Sequence, residues 1–136
     1  MARVLIPITE PAGAQRAIAK LLAEPRDSSL SVHLLAAVEA LRPGKVRIFV
    51  TEQEATSQVR AAAGRWLAPI EAALDAAHIP YTSQIVVGPT RATVRAATMS
   101  EDNDRVLLPT AEARCFSQRE RTRLSESLQH PVTLVA

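Results

Sequence analysis

Aromatic side chains are scarce in this chain. Phe49, Trp66, Tyr81 and Phe116 make up 3% of its 136 residues. Proteins that bind single-stranded nucleic acid stack bases on aromatic platforms, and few are on offer here. Cys115 is the one cysteine, so no internal disulfide forms and no Cys/His cluster has metal-ligand spacing. His33, His78 and His130 are scattered, and no metal site is expected. Lysine is reduced to Lys20 and Lys45 against fourteen arginines, and the net charge of +2 is too small to imply a polyanion partner. No apolar run approaches a membrane span. The opening MARVLIPITEP lacks signal-peptide architecture, because its short apolar run turns at once into Pro and Glu. These absences predict a cytoplasmic protein with no nucleic-acid and no membrane partner. Glycine is also rare: there are four, none after Gly88.

What remains is 47% hydrophobic, built from Ala, Leu, Val and Ile, and long enough for one domain over 1–136. Val4 to Ile8 is a short apolar run of the kind buried on both faces of a sheet. Thr9 is placed to cap a helix that begins with Glu10-Pro11 and carries Ala14, Ala17, Ile18, Leu21 and Leu22 on one side. Leu30 to Val38 is a second apolar run. Pro43-Gly44 makes a turn, and Lys45 to Val50 reads as a short exposed strand. Thr51 and Glu54 form a capping box for a long helix along Val59, Ala63, Trp66, Leu67, Ile70 and Leu74, which Pro69 should kink or split. Tyr81 to Val87 is a strand closed by Gly88-Pro89, and Thr90 is read as the cap of a short helix ending near Met99. Arg105 to Leu108 is a strand, Ser117 to Gln129 a helix, and Val132 to Val135 a last strand after His130-Pro131. Alternation of apolar strands with helices implies a doubly wound α/β domain, a mainly parallel sheet covered on both faces.

In that order, VLIPIT, LSVHLLAAVEA, ALDAAHIPYTSQIVVGPTRATVRAA, NDRVLLPT and HPVTLVA resemble the successive strands and turns of the universal stress protein family over essentially the whole chain, with His130 where a Cys is common. The resemblance implies a single five-stranded sheet in strand order 3-2-1-4-5 and a homodimer through the last strand. That strand also has a physical reading of its own: Val132, Thr133, Leu134 and Val135 make a short apolar edge, and a two-fold pairing of two such edges satisfies both.

Many members of the family bind ATP. They carry an Asp at the end of the first strand, and after the fourth strand Gly-x-x-Gly, nine residues, then Gly and Ser or Thr. The glycines let backbone N–H groups close on phosphate oxygens beside a helix N-terminus. Here the Asp position is Thr9, the glycine positions fall on Pro109, Glu112 and Thr122, and the hydroxyl position on Arg123. Pro109 lacks an N–H, and Glu112 sets an acid where phosphates would lie. ATP is therefore not expected as a cofactor, and the 109–117 turn reads as a solvated, charged connection. The alternative is an anion or nucleotide held by side chains, with Thr9, Arg91, Arg95, Arg114, Ser117 and Arg119 as the candidate ligand-binding residues at the carboxyl edge of the sheet. Cys115, beside Arg114, is a candidate redox thiol, but no His or Asp neighbours it in sequence and no catalytic residue is assigned. The leading expectation is a universal-stress-like interaction and regulatory module with a degenerate nucleotide site.

Overall fold

The computed structural model describes residues 2–24, 29–39, 52–100, 102–126 and 132–135. The expected strand at Lys45–Val50, Thr51 of the capping box, the last turn of the final helix and the His130-Pro131 turn lie outside the described residues. The elements follow as β1 (Ala2–Ile8), α1 (Pro11–Ala23), β2 (Leu30–Val38), α2 (Glu52–Ala76), β3 (Tyr81–Val87), α3 (Thr90–Thr98), β4 (Arg105–Pro109), α4 (Thr110–Ala113), α5 (Gln118–Glu126) and β5 (Val132–Val135). The five strands form one sheet in the order β3-β2-β1-β4-β5, and every described pairing is parallel.

The period-2 pattern of the strands sorts their side chains into two cores. Val4, Ile6 and Ile8 of β1 join Val32, Leu34 and Ala36 of β2 beneath α1 and α2, which contribute Ala14, Ile18, Leu21, Leu67, Ile70 and Leu74. Leu5, Leu35, Val106, Leu108 and Val132 face the other way, against Val94 of α3, Ala113 and Phe116 of the α4 region and Leu124 of α5. With so few aromatics, the cores are filled mainly by aliphatic groups, the larger of which contribute roughly 1.5–3 kcal/mol each on full burial.

α2 runs through Pro69 as one helix rather than splitting there. Ala63, Leu67, Ile70 and Leu74 are buried on one side of it, and this packing outweighs the proline's local cost. The helix ends in a Schellman motif: the N–H of His78 donates to the Asp75 carbonyl and that of Ile79 to the Leu74 carbonyl, both at 3.0 Å. His78 sits there at φ 57°, a left-handed position usually given to glycine.

Two expected caps differ. The N-cap of α1 is Glu10, without a side-chain hydrogen bond, because the Thr9 hydroxyl is engaged elsewhere. The N-cap of α3 is Pro89; Thr90 lies one residue inside the helix, and its hydroxyl donates to Glu39 Oε1 at 3.3 Å.

Candidate functional site

β1 is the switch point of the sheet. From it the chain builds outward to β2 and β3 on one side and to β4 and β5 on the other. Crevices at the carboxyl ends of such strands are where doubly wound proteins bind ligands. Registered β1–β4 pairs occur only at Val4–Arg105 and Leu5–Val106. The N–H and carbonyl of Arg3 both face the β4 side, bonding Asp104 at 2.8 and 2.9 Å. By the two-residue repeat Pro7 faces the same way, and it has no N–H with which to continue the ladder. The two strands are thus untied just below the crevice.

Glu112 fills that crevice. The single turn of α4 swings it inward, and the residue is 0% exposed. Its Oε1 accepts hydrogen bonds from both the backbone N–H and the hydroxyl of Thr9, each at 2.6 Å. Its Oε2 has no hydrogen-bond partner and lies beside the first turn of α1, 3.4 Å from where a Cβ on Gly13 would stand. An acidic group there complements the positive end of the helix. Gly13 packs closely there, since a Cβ on it would stand 3.0 Å from the Pro109 Cβ. Thr9, Gly13, Pro109 and Glu112 therefore interlock, and the 109–117 segment is not the solvated connection expected. Glu112, Ala113 and Phe116 are all buried, because the short helix turns two of its residues inward and Phe116 follows them into the core.

The structure ties some of the arginines into internal contacts and leaves others exposed. The Arg95 guanidinium forks onto Glu120, Nη1 to Oε1 at 3.0 Å and Nη2 to Oε2 at 2.6 Å. Arg95 also donates to the Cys115 carbonyl at 3.0 Å and lies 5.2 Å over the Phe116 ring. This fork, together with the Ser117 N–H, draws the Glu120 carboxyl down to about 2. Ser117 and Glu120 form a reciprocal capping box at the start of α5, with N···O distances of 3.0 and 3.2 Å. Arg121 is used internally too, donating to the carbonyls of Ala113 and Phe116. Arg91, Arg114, Arg119 and Arg123 remain exposed.

The Ser-x-x-Glu spacing at 117–120 was available to find the capping box. Nothing in the sequence marked Glu112 as buried or Arg121 as an internal cap. Cys115 is partly buried, and burial pushes its thiol up, with Glu112 adding to that and Arg91 and Arg95 opposing it. That is the reverse of the activation a redox thiol needs. Among the described residues, no group of three or more His, Cys, Asp or Glu could hold a metal ion, and no helix is long and apolar enough to cross a membrane.

No family model matches the chain, and no curated protein matches it in sequence. Solved structures do match in fold. A hypothetical protein, MJ0577, whose structure served for a structure-based assignment of biochemical function, superposes with a TM-score of 0.71 at 16% identity, covering 98% of this chain and 94% of that one. A protein from the universal stress protein family of Burkholderia pseudomallei gives 0.65 at 12% identity, covering 98% and 95%. The hypothetical protein PH0823 gives 0.65 at 17% identity, covering 98% and 94%. At these identities the likeness establishes the fold, the five-stranded 3-2-1-4-5 sheet of a universal-stress-like protein.

Proposed function

We propose that this universal-stress-like chain is a cytoplasmic, homodimeric interaction module in stress regulation, whose nucleotide cleft is closed by its own Glu112. One observation carries the reading: a buried carboxyl group takes both Thr9 donors in the crevice between β1 and β4. The absence of any glycine after Gly88 supports it, since no backbone there is free to close on a phosphate. Dimerisation would use β5, where Leu134 is 48% exposed at the sheet edge.

The test is calorimetric titration with ATP and with magnesium-ATP, after mass spectrometry for any co-purified nucleotide. No heat and no carried nucleotide are expected. Micromolar binding by the unaltered protein would overturn the closed-cleft reading. A second reading, an anion or nucleotide gripped by arginine side chains, draws on the exposure of Arg91, Arg114 and Arg119 beside Ser117. Against it stands Arg95, already committed to Glu120. Loss of such binding in a folded protein carrying both Arg91→Ala and Arg119→Ala would favour this second reading.

A further inference from the structure

A second polar cleft lies away from the carboxyl edge, over the amino-terminal half of the sheet. On the α3 side, Leu5, His33 and Thr82 stand opposite one another across β1, β2 and β3, and Leu35 stands opposite Gln84 one step along. Arg3 precedes Leu5 on the same face by the strand repeat. α3 ends at Thr98, and the chain returns to β4 through Ser100, Asp102 and Asn103, which form the opposite wall. The volume of this open cleft is about 180 Å³. This is below the roughly 300–1,000 Å³ of drug-sized sites and suits a metabolite of few atoms.

The lining is unusual for a doubly wound sheet, whose strand faces are normally apolar. Among the described residues the cleft carries one guanidinium, Arg3, and one carboxylate, Asp102, yet these two do not pair. Neither side chain has an ion-pair partner among the described residues. Leu5, Leu35 and Ala97 supply the apolar part of the lining. His33 is fixed by a 2.7 Å contact from Nδ1 to the Thr82 hydroxyl. Burial, with the Arg3 charge second, draws its imidazole below the usual histidine range, while Gln84 opposes this. The imidazole is therefore neutral at pH 7 and does not compete with Arg3 for an anion. Asn103 is 5% exposed; its Nδ2 donates to the Ala97 carbonyl at 3.2 Å, but its Oδ1 accepts nothing. A buried amide oxygen with no donor is costly unless one is supplied. The backbone supports are firm, since Asp104 bonds both the N–H and the carbonyl of Arg3 and the Asp102 N–H donates to the Ser100 hydroxyl at 3.3 Å.

We infer that this cleft binds a small zwitterionic amino acid. Its carboxylate would meet Arg3, its ammonium would meet Asp102, and a short apolar side chain would lie on Leu5 and Leu35. A zwitterion offers one charge of each sign to these two side chains. The inference is independent of the closed-cleft reading, because the two sites share no residue.

The test is ¹⁵N-resolved NMR titration of the full chain with L-valine, L-alanine and L-serine. Two single-charge probes, isobutylamine and isovalerate, serve alongside. At least one amino acid is expected to give saturable shifts at the amides of Leu5, His33, Gln84 and Asn103, with Kd of about millimolar. Binding should weaken by about tenfold in Arg3→Ala, in the conservative Asp102→Asn, and for either single-charge probe. Three results would overturn the inference: no saturable shifts with any of the three amino acids, affinity unchanged in both variants, or isovalerate binding as tightly as L-valine, which would leave a plain anion site.

Discussion

At the scale of single residues, Glu112 does two jobs usually divided in doubly wound proteins. It occupies the crevice, and it ties the loop after β4 to the loop after β1. Glu112→Ala removes the acceptor of two Thr9 donors and leaves a cavity. A loss of about 2–4 kcal/mol is expected, seen as a lower denaturant midpoint at unchanged slope. Glu112→Gln keeps an acceptor oxygen and should cost clearly less; equal losses in the two variants would mean that the Thr9 contact contributes little.

Glu120 offers a pH-dependent test. Its carboxyl is held near 2 by Arg95 and the Ser117 N–H, below its ordinary 4.5. The folded state therefore binds this proton more weakly than the unfolded state. The associated stability is present above about 4.5 and is lost as pH falls toward 2. Because Arg95 and Glu120 are each more than a third exposed, solvent screening makes the contribution modest. The sharper readout is NMR titration of the Glu120 carboxyl. In Arg95→Ala it should move most of the way back to the ordinary range, and a value unmoved would assign the depression to the capping box instead.

At the scale of elements, the helices with strong periodicity were legible, and their ends were not. α2 announced itself through Ala63, Leu67, Ile70 and Leu74. The split, one of the two outcomes expected at Pro69, yielded to tertiary packing that local propensity does not contain. Caps failed for a related reason. Thr9 and Thr90 are good capping residues by type, but each hydroxyl found a partner distant in sequence, Glu112 and Glu39. By contrast Ser117, whose partner lies three residues on, does cap its helix. The C-terminus of α2 supplies the prediction at this scale. His78 holds a left-handed conformation that costs a non-glycine residue roughly 1–2 kcal/mol. His78→Gly should raise stability by up to about 1 kcal/mol after the added unfolded-state freedom of glycine is set against it, measured as a rise in Tm. A fall would mean that the imidazole makes a contribution at the helix end larger than the backbone strain.

At the scale of the whole molecule, strand order and two-sided burial followed from alternation and from the family resemblance, because those depend on patterns spread over many residues. The site was less legible. The missing glycines predicted a loss of phosphate-binding backbone, but a four-residue helix that turns Glu112 inward is set by three-dimensional fit to Gly13 and Pro109 and leaves no periodic trace. The amino-terminal cleft is invisible in sequence for the same reason, since sheet register brings Arg3, His33 and Gln84 together and the return from α3 to β4 sets Asp102 beside them. The outer edge carries the prediction here. If β5 pairs with a second copy, Leu134→Glu places a charge on each side of the two-fold axis and should convert the dimer to monomer in light scattering without loss of helix content. A dimer that survives this change would have to use another face.

The central place of β1 has a consequence for how the chain is made. β1 leaves the ribosome before the other four strands and meets β2 soon after, but its other neighbour is far off: Arg3 and Asp104 are 101 residues apart in sequence. At about 5–20 residues per second, β1 waits roughly 5–20 seconds for β4 to be synthesised. During that interval β1 and β2 can dock with α1, while one flank of the innermost strand stays unpaired. Closing so long a loop must then be offset by β4 and its helices together. The nascent chain is most open to mispairing in that interval, and amino-terminal fragments ending before Arg105 should expose the same unsatisfied flank and self-associate.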